Sequence, residues 1–204
     1  MIENSTTKVV ILNAPPSSGK DEVAKTFLKF NTPAPRGTVN SVMFSHKEFK
    51  SQLIRLTKTI WGIPDDLWDQ LYTRENKETP SPFLGNMSPR QALIHTSETV
   101  IKPNYGKQYF GHFAAKTLNP GIVNVFSDGG FPDEVIPVVD TVGMENILII
   151  RIHRPGFDFS GDSRDYLVDG TCKYMVDLYN DGTLQEFFAK THSTVFDWLD
   201  ALDK

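Results

Sequence analysis

Short runs of consecutive apolar, largely β-branched residues constrain this chain more than any other feature, because such runs suit strands buried on both faces of a parallel sheet. Residues 8–13 (Lys-Val-Val-Ile-Leu-Asn) form the first, 122–126 the third, 147–152 the fourth and 174–178 the fifth. A weaker second run covers 39–44. Between them the spacing turns helical. Val23, Phe27 and Leu28 make one stripe, and Tyr109, Phe110, Phe113, Ala114, Thr117 and Leu118 a second. Val135, Val138, Val139 and Val142 make a third, and Leu184, Phe187, Phe188, Val195, Leu199 and Leu202 a fourth. Strand alternating with helix predicts an α/β fold in three layers, helices covering a five-stranded parallel sheet.

The 204 residues predict one domain, 1–204. A helical insert spans about 45–121, between the second and third strands. Inside it Ser88 is a good N-cap and Pro89 sits at the first helical position. With 39% hydrophobic and 23% charged residues the chain has the composition of a folded domain. Its net charge of -4 argues against a polymeric nucleic acid as partner. No run is long enough to span a membrane. The single cysteine, Cys172, excludes an internal disulfide. Together with a polar N-terminus, this predicts a cytoplasmic protein. A homodimer is left open.

The strongest chemical signal is Ala14-Pro15-Pro16-Ser17-Ser18-Gly19-Lys20-Asp21, which leaves the first strand and opens the first helix. Backbone N–H groups at a helix N-terminus converge and attract a phosphate. A glycine at 19 allows close approach, and Lys20 adds a full positive charge where β- and γ-phosphates would lie. Ala14 stands where such loops usually begin with glycine, and Asp21 where they carry Ser or Thr. Asp21 reads either as an acid favoured by the helix dipole or as a carboxylate that holds Mg²⁺.

Asp128 follows the third strand, at the carboxyl edge where ligands of open α/β sheets bind. It reads as an orienter of Mg²⁺ or a contact to the acceptor, or as an ordinary turn residue. Asp133 and Glu134 read as helix-start acids. Phosphoryl transfer needs positive charge that closes over the site. Arg151 and Arg154 lie at the end of the fourth strand, and Arg164 lies in 155–170, a stretch with three glycines and several aspartates that reads as a lid. Arg164 reads equally as a solvated partner of Asp162 or Asp165. Arg90, in a first helical turn, opposes the helix dipole, and an acceptor phosphate is its candidate partner. The five histidines show no metal-ligand spacing, and Trp61, Trp68 and Tyr72 read as core.

These segments together resemble the phage-type deoxynucleoside monophosphate kinases. Ser18-Gly19-Lys20-Asp21 is similar to that family's P-loop, which also carries Asp after Lys. Ser88-Pro89-Arg90 with Glu98 resembles a segment near its acceptor. The stretch 127–134 resembles the one after its third strand, although the family tends to have an arginine where this chain has Gly130. Arg154-Pro155-Gly156 looks like its strand-to-lid junction. The stretch 180–186 is similar to its turn into the last helix, where Thr183 can cap the helix and Asn180 and Gly182 border the adenine. The resemblance implies a P-loop kinase fold with a helical acceptor-binding insert and a short lid. It implies ATP and Mg²⁺ as donor and a (deoxy)nucleoside monophosphate as acceptor, contacted by Arg90, Glu98, Lys102, Asp128 and Arg151. A cytoplasmic phage protein would work in its host's cytoplasm. A kinase of a modified nucleotide or of a base in DNA, and a non-catalytic nucleotide-binding protein, are the other readings of the same loop.

Overall fold

The computed structural model describes residues 7–31 and 42–202. Five parallel strands form one sheet in the order β2-β3-β1-β4-β5. They are β1 (Lys8–Asn13), β2 (Phe44–Lys47), β3 (Val123–Gly129), β4 (Ile147–His153) and β5 (Tyr174–Tyr179). The expected three-layer architecture holds. Odd and even positions of β1 point to opposite faces, and both are buried, which is why its apolar run is unbroken. Val10 and Leu12 pack with Val23, Ala24, Phe27, Phe187, Val195 and Leu199 from α1 (Lys20–Phe27) and α8 (Leu184–Leu202). Val9 and Ile11 pack on the other face with Ala114, Val135 and Val138 from α6 (Tyr109–Lys116) and α7 (Pro132–Val142).

The second strand starts later than its apolar run. Of the expected 39–44, residues 39–41 lie outside the described residues, and the strand pairs from Phe44 into the polar Ser45-His46-Lys47. A sheet edge explains this, because β2 has one neighbour and exposes part of its surface. The third strand runs past Phe126 to Gly129, so that Ser127 and Asp128 are buried strand residues. Leu28 leaves the apolar stripe: α1 ends at Phe27, the chain tightens into a 3₁₀ turn, and Leu28 faces solvent.

The insert contains α2 (Ser51–Trp61), α3 (Asp65–Leu71), α4 (Pro89–Ile94), a π-helical turn (His95–Ile101) and α5 (Lys102–Tyr105). A satellite core of Ile63, Trp68, Leu84, Ala92 and Leu93 holds it together. Ser88 caps α4 in a reciprocal box with Gln91: Gln91 N–H donates to Ser88 Oγ at 3.2 Å, and Ser88 N–H donates to Gln91 Oε1 at 2.8 Å.

Helices α6 and α7 meet backbone to backbone at Gly111. A Cβ there would lie 2.4 Å from the carbonyl oxygen of Glu134. Gly111→Ala is therefore expected to destabilise the fold by about 1–3 kcal/mol through overpacking. A urea midpoint equal to wild type would show that the helices separate freely here.

Candidate active site

Chain order reverses at β1. The chain leaves it toward β2 and β3 on one side and later reaches β4 and β5 on the other. A crevice opens at such a switch point, beyond the carboxyl ends of the strands. The Gly-Lys loop starts there, flanked by Asp128 from β3 and by Arg154 just after β4.

Two left-handed residues shape the loop, Ser17 at φ 63° and Gly19 at φ 92°. Backbone that alternates handedness gathers N–H groups into an anion-attracting concavity. Gly19 is doubly constrained, since a Cβ there would also come within 3.0 Å of Asn180 Nδ2 and 3.4 Å of Phe187. Asn180 is buried after β5 and donates from Nδ2 to the Ser18 carbonyl at 2.9 Å. This is how the turn before α8 braces the loop. Thr183 caps that helix with Glu186, whose backbone N–H donates to Thr183 Oγ1 at 3.3 Å. A Cβ at Gly182 would meet the Glu186 carboxylate at 2.5 Å. The Lys20 ammonium is buried and donates to the Pro15 carbonyl at 3.2 Å. Burial lowers its pKa, partly opposed by Asp21.

Asp128 is buried, and both of its oxygens are engaged. Phe49 N–H donates to Oδ1 at 2.8 Å and Lys50 N–H donates to Oδ2 at 3.1 Å. The carboxylate thus clamps the chain where it enters α2. Burial raises its pKa, with the nearby Lys50 charge opposing. Lys50 itself is pulled down by burial, but Asp128 and Glu48 outweigh that and leave its pKa raised. Glu134, read from sequence as a simple helix-start acid, is pushed up to about 8 by burial and by the Asp128 charge.

The arginines divide. Arg154 donates from one guanidinium nitrogen to the Ser17 carbonyl at 2.6 Å and lies over the Phe157 ring, 4.6 Å from its centre. Arg164 lays its aliphatic stem on Gly130, where a Cβ would come within 2.9 Å of the Arg164 Cβ. Its charge lies within electrostatic reach of Lys20, Asp21 and Asp128. Arg90 projects from α4 toward the same segment, 3.4 Å from the Gly161 carbonyl and 3.4 Å from Glu78. Arg151 does not join them. It forms a fork on Asp177 at 2.9 and 2.6 Å and pairs with Asp169 at 3.1 Å. A strand side chain held this way is committed to the β4–β5 edge.

Glu98 pairs with Lys102 at 2.5 Å, one turn along the same rod, and Lys102 also lies 5.2 Å from the centre of the Phe131 ring. Lys102 and Glu98 both act on the Glu134 carboxyl, which places this pair on the insert wall facing the end of β3. Asp21 sits in the first turn of α1 with an exposed carboxylate. Among the described residues no group of three His, Cys, Asp or Glu side chains forms a metal cage. Mg²⁺ in nucleotide sites is held by one or two carboxylates plus phosphates and water. The exposed carboxylate of Asp21, 4.0 Å from the Lys20 ammonium, fits that use. Asp128 fits it less well, because its oxygens already accept two backbone N–H groups.

Three site residues escaped the sequence reading. Arg74 donates to Ser17 Oγ at 2.9 Å from a turn-rich stretch that carries no period. Lys50, whose charge lies beside Asp128 at the entry to α2, belongs to no motif. Asn13, at the end of β1, is fully buried and ties three elements together. Its Nδ2 donates to the carbonyls of Gly129 at 3.1 Å and Asp165 at 3.0 Å, and its Oδ1 accepts from Leu167 N–H at 2.7 Å. An asparagine closing an apolar strand was the available signal. Through it, and through buried Leu167, the far half of the 155–170 stretch is anchored to the sheet. Residues 155–158 and 160–161, before Arg164, are exposed, as are Asp165 and 168–170 beyond it.

No protein-family model matches the chain, and no curated protein matches it. Among solved structures, a gluconokinase from Sinorhizobium meliloti 1021 aligns over 94% of this chain and 97% of its own, at 11% identity and a TM-score of 0.37. Among the described residues no helix is long and apolar enough to cross a membrane.

Proposed function

We propose that this protein transfers the terminal phosphoryl group of ATP to a small phosphorylated acceptor, a (deoxy)nucleoside monophosphate. One observation carries the reading: a buried lysine in a Gly-Lys loop at the sheet's switch point, with Arg154 hydrogen-bonded to that loop and Arg164 within electrostatic reach of the lysine. In such a transfer an acceptor phosphate oxygen bonds to the γ-phosphorus as the bond to the β,γ-bridging oxygen breaks, releasing ADP. Lys20 and Arg154 stabilise the charge spread over the moving group, and Arg164 bridges that group and the acceptor phosphate. Mg²⁺, held through Asp21 and the phosphates, would neutralise further charge. Asp128 fixes α2 and with it the acceptor wall. Asn180 and Gly182 border the donor's base. Arg90, with Glu98 and Lys102 on the same rod, faces the acceptor. Arg151 supports the β4–β5 edge instead.

Arg90 provides the test. Arg90→Ala is expected to weaken monophosphate binding by roughly one to two decades, the equivalent of one charge-assisted bond. ATP affinity is expected to stay within about twofold. Separate calorimetric titrations decide it, and an unchanged monophosphate affinity would remove Arg90 from the acceptor site.

A further inference from the structure

The segment facing Arg90 buries a negative charge of its own. Asp162 follows the exposed residues 160 and 161, yet its side chain is only 6% exposed. Arg164 grips it in a fork: Nε donates to Oδ1 at 3.0 Å and a terminal nitrogen to Oδ2 at 2.7 Å, while Arg164 N–H also donates to Oδ1 at 3.0 Å. From the insert side, Arg90 donates to the carbonyl of the adjacent Gly161 and adds its charge to the carboxylate's surroundings. Burial alone would raise the Asp162 pKa, but Arg164's bonds, with Arg90 adding to them, bring it to about 2. Asp162 is therefore an anion set among the arginines that reach from the loop edge to the acceptor wall. A planar carboxylate taking two parallel guanidinium bonds makes the interaction that a phosphate makes with the same fork.

We propose that Asp162 is a built-in occupant of the acceptor's anion site, which an incoming phosphate must displace from Arg164. The proposal rests on the kinase reading for the acceptor's identity, but the anion site itself does not. Asp162 then sets specificity: a dianionic phosphate outcompetes the carboxylate, and a weak monoanion does not. The exchange also couples acceptor binding to movement of residues 158–164, since freeing Asp162 releases the segment's main hold on Arg164.

Calorimetry on the full chain tests this with two probes, inorganic phosphate and thymidine monophosphate. Asp162→Asn and Asp162→Ser are expected to bind both roughly tenfold more tightly, because the competing charge is gone. Asp158→Asn is the control for net charge, since Asp158 accepts a bond from Ser160 N–H and, among the described residues, engages no arginine. It is expected to leave both affinities unchanged. Unchanged or weaker binding in the Asp162 variants would overturn the proposal and make Asp162 a residue that merely positions Arg164. Equal tightening in Asp158→Asn would overturn it as well. A wild-type chain that binds phosphate but not ATP would refute the kinase reading while leaving the Asp162 comparison readable.

Discussion

Replacing Lys20 by methionine is expected to lower phosphoryl transfer by at least about a hundredfold to a thousandfold, the usual cost of removing one preorganised charge-stabilising group. The same substitution is expected to leave the fold as stable as wild type or more so. The sign follows from the lowered pKa. A lysine that binds its proton less well when folded than when unfolded costs stability wherever it is charged, so at neutral pH its removal returns that cost. Loss of turnover without loss of stability marks a residue kept for chemistry. Thermal melting and steady-state assays on the same preparation check both halves. A folded variant that keeps near-normal turnover would contradict the role given to this loop.

Asp128 is expected to show the opposite pattern. Asp128→Ala leaves the N–H groups of Phe49 and Lys50 buried without their carboxylate. Two orphaned donors of this kind cost about 2–4 kcal/mol, after allowing for the burial penalty the carboxylate no longer suffers. Because α2 starts at that clamp, the proposed acceptor wall should loosen as well. Turnover should therefore fall together with the urea midpoint. Asp128→Asn keeps one carbonyl oxygen as acceptor and should lose less of both. Wild-type stability in Asp128→Ala would show that α2 is held elsewhere.

What the sequence made legible was local. Unbroken apolar runs marked β1, β3 and β4 because a strand buried on both faces needs no polar alternation. The Gly-Lys loop was legible because a strand, a glycine and a helix start lie within a few residues of each other. The Ser88 cap and the C-terminal helix were legible for the same reason. Position along the sheet was not. That Arg151 belongs to Asp177 depends on β5 pairing beside β4, a contact 26 residues away in the chain. That Asp128 clamps α2 depends on pairing of β2 with β3, and the acid's local signal, a Gly-containing turn, pointed to the loop instead. Arg74 carries no period or motif, Asn13 only its place at the end of an apolar run, and their partners lie 57 to 154 residues away. The early end of α1 and the polar β2 reflect edges and turns, where burial no longer dictates residue type.

ADP formation from ATP and Mg²⁺, measured against a panel of ribo- and deoxynucleoside monophosphates, tests the proposed reaction most directly. At least one monophosphate is expected to give stoichiometric ADP and the matching diphosphate, with the signal lost in Lys20→Met. ATP bound but consumed with none of the monophosphates would contradict it, and would leave a nucleotide-binding protein or a kinase of some other acceptor.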